Sequence, residues 1–189
     1  MSFNQSKSIK AFMSAFHKPW FIAGGWAIDV FIGQETREHA DIEIGMFRHD
    51  QMDLQHYLNQ WRFEKVIKGT LHPWKQEFLQ LPIHELHATN TLGGYKLEIL
   101  LNEKENGLWK FRRCPEITRP LNAVWSTSHL GIPYLNPEIV LLYKAKNTRS
   151  KDHQDFLNVK DFLHQEQKAW LREAIQLHEP EHIWLKDLK

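Results

Sequence analysis

Apolar and polar positions change rhythm several times along the chain, and the changes mark out its elements. Residues 6–17 carry Ile9, Phe12, Met13 and Phe16 at helical spacing with serines in front as caps, which predicts an amphipathic opening helix. After Pro19 an unbroken apolar run, 20–23, reads as a strand, and Gly24-Gly25 as a tight turn whose backbone amides point outward. Trp26, Ala27, Val30 and Phe31 resume helical spacing up to Gly33, a C-terminal stop. A polar loop covers 34–40. From 41 to 47 the period falls to two, so Asp41 and Glu43 share one strand face while Ile42, Ile44 and Met46 share the other.

His49 and Asp50 open a helix with Leu54, Tyr57, Leu58 and Trp61 on its apolar side. Residues 62–68 alternate as a strand, 69–73 read as a turn and 77–81 as another strand, while 82–94 carry only a turn signal at Gly93-Gly94. Over 95–102, Leu97, Ile99 and Leu101 fall on one strand face and Lys96, Glu98 and Leu100 on the other. Short β-like pieces fill 107–132. Asn136-Pro137-Glu138 then starts a helix: a capping side chain, proline in the first turn, an acid near the positive end of the dipole. That helix, to about 146, bears Ile139, Leu142 and Tyr143. A second starts at Ser150 with Phe156, Val159, Phe162 and Leu163, and a third spans 166–177 before Pro180. Strands and helices mixed early, helices alone late, predict an α/β (α+β) fold: a mixed-sheet domain over 1–133 and a helical region over 134–189.

Composition narrows the partners. Lys and Arg number 24 against 23 Asp and Glu, a net charge of +1, which argues against a nucleic-acid groove. A hydrophobic content of 42% supports a real core, and the 8 tryptophans are read as packing rather than base stacking. The single cysteine, Cys114, cannot form an internal disulfide. No apolar stretch approaches the roughly 20 residues of a membrane span, and the first ten residues lack a signal-peptide pattern, so the cytoplasm is the expected location.

The candidate chemistry lies in the acids. Two carboxylates side by side on a strand repel, and are tolerated in solvent or where a cation holds them together. A glycine turn and helix start precede Asp41 and Glu43, a ready place for phosphate oxygens. Glu98 sits on a second strand with the same alternation. If the strands are neighbours, three hard oxygen donors converge on one side of a sheet, a set suited to Mg²⁺. His39 either touches phosphate or orders its loop through backbone hydrogen bonds. His84-Glu85-Leu86-His87 evokes a zinc-enzyme helix, but that pattern needs histidines four apart and these are three apart. Arg112-Arg113 is read as a surface pair.

The order GGWAID, glycine, TREHADIE over residues 20–44 resembles the nucleotidyltransferase superfamily of DNA polymerase β type, and is similar above all to its aminoglycoside and lincosamide nucleotidyltransferases. Looser support comes from Lys96-Leu97-Glu98 and the Pro137-Glu138 helix with Lys144 and Lys146. The resemblance implies a mixed-sheet nucleotidyltransferase fold with helices on one face. It implies transfer of a nucleoside monophosphate, AMP by preference, from ATP or another NTP to a hydroxyl of a small, aminoglycoside-like acceptor. Asp41, Glu43 and Glu98 would be the catalytic acids and the ligands of two Mg²⁺ ions, Gly24 and Gly25 would offer amides to the triphosphate, and Arg37 and Lys144 would meet phosphate charge. The sequence departs from the family pattern at Trp26, where serine is common outside the aminoglycoside branch, and at Glu43 and Glu98, where aspartate is usual. Competing readings are a catalytically silent descendant that only binds, and a toxin-type enzyme that modifies protein or tRNA.

Overall fold

The computed structural model describes residues 3–188. Helix α1 (Asn4–Phe12) starts ahead of the expected serines: its cap is Phe3, with left-handed backbone and no side-chain cap, and Ser6 is buried inside the helix. The helix stops at Phe12, although Met13 and Phe16 beyond it are still buried. Strand β1 (Trp20–Ile22) follows, and α2 (Gly24–Ile32) begins at the double glycine itself rather than after it. Gly33 ends α2 with φ 83°, the left-handed stop its sequence predicts. Then come β2 (Glu43–Phe47), a single 3-10 turn and α3 (Gln51–Tyr57).

The middle of the chain departs most from expectation. Strand β3 (Trp61–Ile67) turns back through Lys68 and Gly69, both at positive φ, into β4 (Thr70–Pro73), which the sequence suggested was only a turn. Residues 77–81 form no strand; the Leu79 amide donates instead to the Gln51 side chain at 2.8 Å. Strand β5 (Glu85–Asn90) occupies the unassigned stretch. Only Leu86 and Ala88 point it inward, too few apolar positions to announce a strand. Strand β6 (Lys96–Glu105) is the longest, and β7 (Leu108–Lys110), β8 (Thr118–Pro120), β9 (Trp125–Thr127) and β10 (Pro133–Leu135) are short. Helices α4 (Pro137–Ala145), α5 (Ser150–Val159) and α6 (Gln165–His178) start within a residue of the predicted positions, but Asn136 does not cap α4 as expected: its side chain accepts from Ser126 Oγ and donates to the Ala123 carbonyl.

The sheet runs β4-β3-β5-β6-β2-β1-β10-β9, with β7 joined to β6 and β8 to β7. β2 is parallel to β6 and β1 to β10, while the other pairs are antiparallel, so the sheet is mixed as the α+β reading expects. Its core is aromatic. Phe21 lies across Gly45, where a Cβ would approach the ring to 2.2 Å, and stacks on Trp125 at 5.7 Å. Phe156 and Trp184 stack at 4.4 Å beneath α5. The sequence view of the tryptophans as packing residues holds for Trp20, Trp26, Trp61, Trp74, Trp109 and Trp184, all buried. Cys114 is a free thiol beside Glu116. Among the described residues no helix is long and apolar enough to cross a membrane.

Candidate active site at the junction of two cavities

The register of the central strands decides what the acids can do. Glu43 on β2 is the lateral partner of Glu98 on β6. Glu98 is in turn opposite His87 on β5, and His87 opposite Glu64 on β3. One row across four strands therefore reads Glu43, Glu98, His87, Glu64. Asp41 lies in the bend before β2, which starts two residues later than the alternation suggests, and it lines the same cavity as Glu98. Glu98 thus stands beside Glu43 in the sheet, with Asp41 close enough for its charge to act on it.

Like charges opposite one another on neighbouring strands destabilise a sheet unless compensated. Here compensation is sparse: among the described residues, no Lys or Arg forms an ion pair with Asp41, Glu43, Glu85 or Glu98, and only His87 approaches Glu85 and Glu98. The carboxyls respond. Burial pushes Glu43 above its ordinary pKa, with Lys144 opposing. Burial also pushes Glu98 up, and the charges of Glu43 and Asp41 add to it. Among the described residues the metal-capable side chains that gather within 4.8 Å of one another are Glu85, His87 and Glu98; Asp41 and Glu43 stand outside that group, so the three acids named from the sequence do not meet at one point.

The double glycine makes room for this arrangement. Gly24 has φ 58°, and a Cβ there would fall 1.3 Å from Glu43 Oε2, so the Glu43 carboxylate lies over the first turn of α2 where only glycine leaves space. A Cβ on Gly25 would meet Arg37 Nη2 at 2.3 Å and His39 Cε1 at 2.6 Å. The intervening loop is pinned from beneath by Asp29, fully buried in α2. Its carboxylate accepts from Thr36 Oγ1 at 2.6 Å and contacts His39 Nε2 at 2.6 Å. The His39 ring packs on Trp26 at 4.6 Å. His39 thus orders its loop, through a buried carboxylate rather than the backbone.

Arg37 and Lys144 belong to a second network. Arg37 donates twice to Asp155, at 2.8 and 2.9 Å, and lines neither cavity described below. Lys144 reaches Asp152 at 2.9 Å and Asp155 at 3.0 Å, and Arg149 reaches Asp152 at 2.7 Å. Burial would raise Asp152 and Asp155, but these hydrogen bonds outweigh it and hold both carboxyls below the usual range. The network ties the loop before β2 to α4 and α5.

Two cavities meet the row of acids. One, of about 450 Å³, is lined by Gly24, Glu43 and Glu85 and by the cations Arg112, Arg113, Lys144, Lys146 and Arg149. Arg112, Arg113 and Lys146 have no carboxylate partner within ion-pair distance among the described residues. The arginines are half-buried, set over the Tyr143 ring at 5.7 and 5.5 Å, and burial lowers the pKa of both. They are cavity residues, not the surface pair the sequence suggested. The other cavity, of about 570 Å³, is lined by Asp41, His87 and Glu98 with Glu64, Arg62, Lys96, Tyr95 and Leu71. The acids therefore stand where a cation-rich cavity and a mixed polar and apolar one adjoin.

Residues 6–159 match the sequence profile of aminoglycoside-2''-adenylyltransferase, most of the chain. The chain belongs to this family. It is thereby a nucleotidyltransferase, of the aminoglycoside and lincosamide branch its glycine turn and acid pair resemble. No curated protein is significantly similar to it. Among solved structures it is similar to the lincosamide antibiotic adenylyltransferase LnuA bound to lincomycin, with 19% identity and TM-score 0.59 over 85% of this chain and 98% of that one. It is similar also to ANT(2'')-Ia in complex with adenylyl-2''-tobramycin, with 16% identity and TM-score 0.62 over 92% and 98%. The solution structure of the antibiotic-resistance factor ANT(2'')-Ia gives 17% identity and TM-score 0.61 over 94% of each. At these identities the likeness is one of fold.

Within this adenylyltransferase-family fold, sequence reasoning missed Arg112, Arg113, Arg149 and the pair Glu85 and His87. An arginine pair just past a strand was the one signal for the cavity cations. Glu85 and His87 needed β5 to be recognised as a strand before their shared face was visible.

Proposed function

We infer that this chain transfers a nucleoside monophosphate, AMP by preference, from ATP or another NTP to a hydroxyl of a small antibiotic-like acceptor. The observation that carries this reading is the position of Asp41, Glu43 and Glu98 between a cavity holding the unpaired cations Arg112, Arg113 and Lys146 and a second cavity whose cations are Lys96 and Arg62, the latter paired with Glu64. The triphosphate suits the first: Arg112, Arg113 and Lys146 offer charge that no protein carboxylate claims, with Lys144 and Gly24 in its wall; Gly25, expected from the sequence to share this role, does not line it. The acceptor suits the second, where Leu71 and Tyr95 give apolar surface and Glu64 an acid for an amino group.

Asp41, Glu43 and Glu98 would hold two Mg²⁺ ions, which supply charge stabilisation for the attacking and leaving oxygens. The chain's own residues do the rest. The cations orient and neutralise the phosphates, Glu98 on the acceptor side takes the hydroxyl proton, and the loop fixed by Asp29 sets where Asp41 and Glu43 stand. Arg37 contributes by anchoring that loop to Asp155 rather than by touching phosphate.

The test is incubation with Mg²⁺, α-labelled ATP and a panel of aminoglycosides and lincosamides, following label on the acceptor and pyrophosphate release. Transfer to one acceptor, abolished in Asp41→Asn, is expected. Pyrophosphate release with none of them, and no Mg²⁺-dependent nucleotide binding, would overturn the reading. Nucleotide binding without turnover would favour the silent descendant that the Glu43 and Glu98 replacements suggest.

A further inference from the structure

The His84-Glu85-Leu86-His87 stretch has a use that its helical comparison conceals. On β5 the chain alternates, so Glu85 and His87 face one way while Leu86 is buried on the other. His84 precedes the strand and is turned aside, its Nδ1 donating to the Pro82 carbonyl at 2.8 Å. The third member comes from the next strand: Glu98 is the lateral partner of His87. One ligand atom from each of Glu85, His87 and Glu98 lies within 4.8 Å of the others. His87 Nε2 is 2.9 Å from Glu85 Oε1 and 3.9 Å from Glu98 Oε1, so both carboxylates converge on one imidazole nitrogen.

Donors around one small divalent ion at about 2.1 Å stand roughly 3–3.5 Å apart. The side chains of Glu85, His87 and Glu98 are 32%, 31% and 25% exposed, which leaves them the rotamer freedom to close that difference. The donor types then select the ion. Mg²⁺ takes oxygen ligands in strict octahedral geometry, whereas one imidazole nitrogen with two carboxylates suits Mn²⁺, Co²⁺ or Zn²⁺.

We propose that Glu85, His87 and Glu98 form a transition-metal site beside the acid pair, one that takes Mn²⁺, Co²⁺ or Zn²⁺ in preference to Mg²⁺. The use of the ion rests on the nucleotidyl-transfer reading, in which it would sit next to the acceptor hydroxyl. The binding itself does not.

Titration of the full chain with Co²⁺, followed by its visible absorption without nucleotide, tests the site. The wild type is expected to bind Co²⁺ and to release it only to a large excess of Mg²⁺. His87→Gln is expected to weaken Co²⁺ binding at least tenfold, Glu85→Gln to weaken it as well, and Asp41→Asn to leave it in place. A His87→Gln titration that superimposes on the wild type, with the thermal midpoint unchanged, overturns the proposal. So does loss of Co²⁺ in Asp41→Asn with retention in both other variants, which would put the ion on the acid pair alone. If His87→Gln fails to fold, Glu85→Gln decides by the same criterion. Co²⁺ binding without nucleotidyl transfer to any acceptor would sink the enzyme reading and leave this site standing. Mg²⁺-supported transfer that is indifferent to both β5 substitutions, with Co²⁺ binding equally indifferent, would do the reverse.

Discussion

Glu43 makes the most demanding contact in the molecule, its carboxylate filling the space a side chain on Gly24 would need. Gly24→Ala must therefore both strain a left-handed backbone position, on the order of 1–2 kcal/mol, and drive Glu43 off α2. Transfer should fall at least a hundredfold, with a lower thermal midpoint; unchanged kcat/KM would show that the position of Glu43 is unimportant. Asp41→Asn should abolish transfer with little change in midpoint, because Asp41 is exposed and its side chain makes no ion pair among the described residues. The raised carboxyls carry a pH signature. Glu43 and Glu98 hold protons in the folded chain more tightly than usual, so their ionisation costs stability. That cost is absent below the ordinary glutamate value and full once pH passes the folded-state one. Without divalent ions, Glu98→Gln should raise the thermal midpoint at pH 8 and make little difference at pH 4. A lowered midpoint at pH 8 would mean the carboxylates are not in conflict. Period-two alternation put Glu43 and Glu98 each on the polar face of its own strand from sequence. It could not reveal the lateral register, because pairing between strands fifty residues apart leaves no local mark.

The loop and helices around α2 behave as a clamp. Asp29 holds Thr36 and His39 from below, and Asp155 holds Arg37 from α5. Removing Asp155 leaves Arg37 without a carboxylate partner and Lys144 with Asp152 only. Asp155→Ala should cost about 3 kcal/mol or more, as for other broken buried pairs, and should expose the 34–42 loop to proteolysis. A protease-resistant variant of normal stability would contradict the clamp. Helices α4 and α5 were plain in the sequence because the proline and acids of a first turn are written locally. Strands β4 and β5 were not, since β4 is an exposed edge and β5 spends one face on polar side chains that mimic a loop. The partners of Arg37 and Lys144 left no local mark either: Asp152 and Asp155 lie far along the chain from Arg37, and only the packing of α4 and α5 brings them to it.

The molecule as a whole sets one row of acids against two cavities of different character. If the cation-rich one receives the triphosphate, Arg112→Ala with Arg113→Ala should raise the KM for ATP at least tenfold while leaving acceptor affinity within about twofold. An effect on the acceptor alone would exchange the cavities. No bulk property foretold this, since a net charge of +1 hides a local cluster of cations. The decisive experiment is a crystal structure with Mg²⁺, a non-hydrolysable ATP analogue and an acceptor. The triphosphate is predicted beside Arg112, Arg113 and Lys144, with its α-phosphorus against metal held by Asp41 and Glu43 and the acceptor hydroxyl on the Glu98 side. Nucleotide bound in the Tyr95 cavity, or phosphates remote from the acids, would contradict the nucleotidyl-transfer mechanism.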